Sequence, residues 1–245
     1  MTPTSRRALV VIHDPEERAS IVGRRLVHHG YSLERFAVVD DMVQPRSDRP
    51  FPDPGDYDLI VVMGAIYSVY DTAAIGSWIE RELDFLRAAD ALGVPVFGIC
   101  FGGQALAAAH GGRVVRAERS QIGWYPVPEA DGIPGGPWMQ WHNDRLEAPP
   151  EARVLSVDGY GVQAFVLGRN LGLQFHPEVD RAHLDAWLAG GGLEELATAG
   201  VDATALVADT DRCVDENRTN ALVDWFLAEV AEAPGSPLDR GAAGA

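Results

Sequence analysis

Lysine is absent. All 20 basic residues are arginine, set against 36 acidic ones for a net charge of −16. The absence excludes a P-loop lysine, a Schiff-base lysine for pyridoxal phosphate and a Ser-Lys dyad. The shortage of positive charge argues against nucleic acid and against anionic membrane surfaces as partners. Cysteine is scarce too. Cys100 and Cys213 are too few for a disulfide framework or a zinc site, which predicts a reduced, cytoplasmic protein with no metal centre. No apolar run approaches the ~18 residues of a membrane span. Met1 to Arg7 is polar and leads straight into a strand-like run, so no signal peptide is expected.

What is present reads as an ordinary globular chain, 47% hydrophobic and 23% charged over 245 residues. One large domain is expected over 1–230, followed by an Ala/Gly/Pro-rich tail, 231–245, expected to fray. Buried strands are predicted at Ala8–Ile12, Leu33–Val39, Asp58–Met63 and Val94–Cys100. Helical spacing separates them at Pro15–His29, Ile75–Leu92 and Gly102–His110, with Gln44–Asp58 as a surface loop. Apolar strands alternating with amphipathic helices indicate an α/β protein with a doubly wound, mainly parallel sheet.

The pattern then changes. Arg113–Glu118, Gly123–Pro128, Trp138–His142, Val154–Asp158, Val162–Leu167 and Leu171–Phe175 are short strands between turns. They predict a small antiparallel extension, with the last strand returning to the main sheet. Helices are expected again at Arg181–Leu188, Leu193–Ala199 and Cys213–Val230.

Gly98-Ile99-Cys100-Phe101-Gly102 follows a buried strand and opens a helix. With Cys in place of Ser it has the form of a nucleophile elbow. Such a turn lifts the side chain off the strand end. It also aims the next backbone N–H, that of Phe101, at a developing oxyanion. The helix N-terminus favours thiolate over thiol. His176 ends a later apolar strand, where parallel-sheet enzymes place their sites, and Glu178 is two residues on, on the same side of an extended chain. The carboxylate would then fix the imidazole, leaving the other nitrogen for the thiol. His13, His28, His29, His110 and His183 read as surface, cap or scaffold residues.

Gly98 to Gln104 followed by Phe175-His176-Pro177-Glu178 resembles the class I, triad-type glutamine amidotransferases, in particular the stand-alone group similar to the GMP synthase amidotransferase domain. The likeness runs from the first strand to about Val179. It implies a flavodoxin-like fold with Cys100, His176 and Glu178 as the triad. A γ-glutamyl thioester would be the intermediate, and no organic cofactor would be needed. It further implies that the backbone N–H groups of Phe101 and Ala65 form the oxyanion hole, and that Gln104, Gly123 and Trp124 contact the substrate. Ala65 and Ile66 stand where the family has Gly and Pro; the donor survives if residue 65 does not need a positive φ. Trp141-His142-Asn143-Asp144 matches another recurrent segment, for which a structural turn and a chemical role both stand open.

Two activities fit these residues. One is a glutaminase that hands ammonia to a separate partner synthetase, since this chain shows no motif for activating an acceptor. The other is a self-sufficient hydrolase of γ-glutamyl amides or peptides, for which a wider pocket would be the mark. A non-catalytic scaffold fits the intact Cys100, His176 and Glu178 poorly.

Overall fold

The computed structural model describes residues 6–232. Its main sheet has seven strands: β1 (Arg6–Ile12), β2 (Tyr31–Ala37), β3 (Leu59–Val62), β4 (Val96–Ile99), β7 (Arg153–Val157), β8 (Val162–Leu167) and β9 (Asn170–Leu173). They lie in the order β2-β1-β3-β4-β9-β8-β7, the first five parallel and the last two antiparallel. Read by rank along the chain, the parallel five follow the 2-1-3-4-5 order of the flavodoxin-like fold. A separate antiparallel pair, β5 (Arg113–Val127) with β6 (Gly136–Glu147), is the small extension.

The central strands β3, β4 and β9 are buried throughout because both sheet faces are covered there. Ala8, Val10 and Ile12 of β1 pack with Leu222 and Phe226 on one face, while Leu9 and Val11 pack with Leu86 and Leu106 on the other. Helices α1 (Ser20–His28) and α8 (Glu216–Trp225) serve the first face. Helices α3 (Ile79–Leu92) and α4 (Phe101–Ala109) serve the second.

The elements differ from the sequence reading mostly at their ends. The first helix begins at Ser20 rather than Pro15, and a short α2 (Thr72–Ile75), capped by Asp71, precedes α3. The two strands expected between 113 and 128 are one bulged strand, its register shifting between Arg116 and Gln121. The expected helix Cys213–Val230 is instead three pieces. Cys213 closes α7 (Ala203–Cys213), Val214 is extended at ψ 125°, and Asp215 caps α8, which runs on as a π-helical stretch Phe226–Ala231. In that interval capping aspartates at 202 and 215 outweigh the apolar periodicity. Of the expected tail, 233–245 lie outside the described residues, whereas Ala231 is buried in the core. Among the described residues no helix is long and apolar enough to cross a membrane.

Candidate active site

Four neighbouring parallel strands, β1, β3, β4 and β9, each run toward a residue of one site at their C-terminal edge: His13, Gly64, Cys100 and His176. Strand order thus joins residues far apart in sequence, at the edge where parallel sheets bind ligands.

Cys100 sits between β4 and α4 with φ 49° and ψ −105°. An L-residue held there stores ~1–3 kcal/mol of strain. Glycines make the turn. A Cβ on Gly98 would lie 2.7 Å from the Gly102 carbonyl carbon, one on Gly102 2.2 Å from the Val62 oxygen, and one on Gly103 2.3 Å from the Leu173 oxygen. Helix α4 therefore presses its first turn directly on β3 and β9. No side chain caps it, so the Phe101 N–H has no partner within the helix.

The backbone of His176 is pinned where its N–H donates to the Met139 oxygen at 2.8 Å. Its Nδ1 lies 2.7 Å from Glu178 Oε1, with both residues buried. Nε2 is buried with no hydrogen-bond partner among the protein's atoms. Burial works against charge on this ring, but the negative charges of Glu178 and then Cys100 outweigh it, so its pKa stands well above the usual value. The favoured state of the ring is the imidazolium. The Cys100 Sγ has two further polar neighbours, the Trp141 carbonyl and the Gln174 amide nitrogen, each at 3.9 Å.

These groups open into a cavity of about 420 Å³. Cys100, His176, Gln104 and Ala65 line it, as do all four residues from Trp141 to Asp144. That last segment lies within strand β6 and is not a turn. Ser68 and Tyr70 hydroxyls both donate to the Asp144 carboxylate. His142 is buried, which lowers its pKa to about 4 and keeps it neutral. Gln104 is tied to Gln174, 3.3 Å away. Ala65 is not at positive φ, since Ser20 and Cys100 are the only such non-glycine positions among the described residues. The Gly→Ala departure therefore adds no backbone strain. Gly123 and Trp124 do not line the cavity. Gly123, at φ 130°, pairs with Gln140 in the hairpin, and the Trp124 indole N–H donates to Thr210 Oγ1 at 2.8 Å.

Sequence and structure comparisons identify the family. A family model described as "Glutamine amidotransferase class-I" matches residues 19–188. The chain belongs to that family.

Among relatives of the amidotransferase chain, a glutamine-hydrolysing GMP synthase of Mycolicibacterium paratuberculosis is 36% identical over 184 residues, covering 71% of this chain and 31% of the synthase. Gamma-glutamyl peptidase 4 of Arabidopsis thaliana is 28% identical over 206 residues, covering 75% of this chain and 78% of the peptidase. A glutamine amidotransferase from Thermotoga maritima superposes with a TM-score of 0.77 at 25% identity, over 94% of this chain and 100% of that one. The chain spans between 29% and 50% of the length of the GMP synthases named among its relatives.

Sequence reasoning missed several residues of this amidotransferase site. Gln174, beside the thiol, is a buried polar residue in an otherwise apolar strand end, and that was its only signal. His13, read among the surface, cap or scaffold residues, lines the cavity, whereas His183 lies behind it against Trp187. Helix α5 (Arg181–Trp187) puts the Trp187 ring 4.9 Å from that of His176. His183 holds this helix down: its Nε2 is 2.8 Å from Glu17 Oε1, and its Nδ1 is 3.1 Å from the Ser20 hydroxyl. Nothing in the sequence links Glu17 to His183 without the fold.

This latch is expected to work within a pH window. Burial disfavours charge on both partners, but their mutual attraction, helped at His183 by Glu178 and opposed there by His176, raises the His183 pKa and lowers that of Glu17. The His183 contribution is full below its unfolded pKa of ~6.5 and is lost as pH rises through the raised folded value. The Glu17 contribution is full above its unfolded value of ~4.3 and is lost as pH falls through the lowered one. Amide hydrogen exchange across α5 should therefore be slowest at mildly acidic pH. Exchange there that does not vary with pH, after correction for intrinsic rates, would exclude the latch.

Proposed function

We propose that this amidotransferase-family protein hydrolyses the side-chain amide of glutamine through Cys100, His176 and Glu178, releasing ammonia to a separate synthetase. The observation that carries the reading is the strained, glycine-bracketed Cys100 facing a buried His176 whose far nitrogen is held by Glu178.

The chemistry follows from those groups. The thiolate attacks the carboxamide carbon, and the carbonyl pair moves onto oxygen, between the N–H groups of Phe101 and Ala65. His176 gives its Nε2 proton to the amide nitrogen. The C–N bond breaks, and ammonia departs from the γ-glutamyl thioester. Neutral His176 then takes a proton from water as that water attacks the thioester. The C–S bond breaks, leaving glutamate and the regenerated thiolate–imidazolium pair. Gln104 is assigned to the substrate's amino-acid end. A separate acceptor enzyme is supported by the GMP synthases, of which this chain matches only a part.

One observation favours a second reading, a γ-glutamyl peptidase with an amine as leaving group. The cavity of about 420 Å³ falls among the ~300–1,000 Å³ pockets that take ligands of drug size. The peptidase relative is also matched over most of its length.

The two readings separate in one experiment, using a diazo-ketone of the glutamine skeleton and intact-mass analysis. Single labelling at Cys100, prevented by excess glutamine, is expected. Labelling prevented by γ-glutamyl dipeptides and not by glutamine would favour the peptidase. No labelling of a titratable Cys100 would count against a formed glutamine site.

A further inference from the structure

His13 follows β1 and is buried, as is Glu82 on α3. His13 Nε2 lies 3.0 Å from both Glu82 carboxylate oxygens, and Nδ1 lies 3.3 Å from the Gly64 carbonyl oxygen. Both ring nitrogens thus face acceptors. An imidazole with one hydrogen satisfies only one of them, whereas the imidazolium donates to both. The ring also meets that of Phe101 edge-on at 4.7 Å. His13 therefore touches the residues on both sides of the cleft assigned above to the oxyanion.

The bond to Gly64 has a geometric consequence. The carbonyl of Gly64 and the N–H of Ala65 belong to one peptide unit, which is planar and trans, so the two point in opposite directions. Holding the oxygen toward His13 turns the hydrogen away from it. A carbonyl that accepts a hydrogen bond also makes the N–H of its own peptide unit a stronger donor. Gly64 itself cannot carry a side chain without crowding the base, since a Cβ there would lie 3.0 Å from His176 Cε1. The loop is thus short of rigidity of its own, with Ala65 and the exposed Ile66 next in sequence.

We propose that His13, anchored by Glu82, is a positioning residue that orients the Gly64–Ala65 amide as an oxyanion donor. The inference rests on the triad reading above. It assigns a role to a buried, hydrogen-bonded His13–Glu82 pair that the triad leaves unused, and it explains how a loop with Ala65 and Ile66 keeps a fixed donor.

The test compares wild type with His13→Phe and His13→Asn in glutamine or γ-glutamyl anilide hydrolysis. It also measures inhibition by glutamate γ-semialdehyde, which forms an oxyanion on Cys100. Losing one oxyanion donor costs ~10²–10³ in kcat, so His13→Phe, which disorients one, is expected to lower kcat by ~10–100-fold. The aldehyde should weaken in step, with KM and the rate of Cys100 alkylation by iodoacetamide little changed. His13→Asn places an amide N–H where Nδ1 was and should recover most of the loss. Should His13→Phe fail to fold around an unpaired Glu82, the double substitution with Glu82→Leu carries the same expectation. A parallel fall in alkylation and rise in KM would mean a purely structural pair, and unchanged kcat would end the assignment outright. Wild-type protein with no Cys100-dependent turnover would instead sink the triad reading, and this inference with it.

Discussion

Replacing Cys100 by Ala should remove amide hydrolysis, because among the described residues Cys100 supplies the only thiol lining the cavity. Loss of the nucleophile in triad hydrolases costs on the order of 10⁶ in kcat, and a similar loss is expected here. The fold should survive, since Ala at 100 keeps the turn and loses only a small side chain. Cys100→Gly makes a sharper prediction. At φ 49° and ψ −105° glycine is free of the ~1–3 kcal/mol of strain borne by an L-residue, and this exceeds the ~0.5–1 kcal/mol that glycine loses in the unfolded chain. In chemical denaturation Cys100→Gly should therefore be more stable than Cys100→Ala by about 1 kcal/mol, while equally inactive. Turnover within a hundredfold of wild type in either variant would refute the assigned nucleophile.

Glu178→Gln should have the second largest effect. The carboxylate is buried, and its Oε1 accepts from His176 Nδ1. An amide can offer that nitrogen its own N–H, turning the imidazole to the wrong tautomer. Comparable substitutions in hydrolase triads cost ~10⁴ in kcat. Glu178 is also the first of the charges that lift the His176 pKa against burial. Without it, the pKa falls. The raised pKa lets the imidazolium persist to alkaline pH in the wild type. In Glu178→Gln the alkaline limb of kcat/KM should therefore shift to lower pH. The same coupling stabilises the fold: it is fully present below the unfolded His pKa of ~6.5 and lost as pH rises through the folded value. An unmoved alkaline limb would show that Glu178 does not set the charge of His176.

The altered oxyanion loop illustrates why geometry decides what motif reading leaves open. Replacing Gly and Pro by Ala65 and Ile66 looks costly on paper, because glycine often marks a positive φ. Here residue 65 does not adopt one. The glycine that the site does need is Gly64, for lack of space beside His176 and not for its dihedral angle. Trp141 to Asp144 make the opposite case. A polar run after a short strand looks like a turn, yet it stays extended because β5 pairs with Trp141, His142 and Asp144, its own bulge lying opposite Asn143. Gly123 and Trp124 matched the family segment, but the hairpin sets them outside the cavity walls.

The sequence by itself determined the sheet type, the elbow and the candidate triad. Each is encoded locally: in runs of apolar residues buried on both faces, in glycines four positions apart around Cys100, and in a His-Pro-Glu at a strand end. The fold class and family likewise followed from those short patterns. Only the tertiary structure decided what gathers around them. Gln174 beside the thiol, Glu82 behind His13, Glu17 against His183 and Glu195, which accepts from the Trp141 indole at 2.8 Å, come from separate elements with no spacing rule to connect them. Buried polar residues must find partners wherever packing brings them, and that pairing is a property of the folded chain that no local stretch of sequence carries.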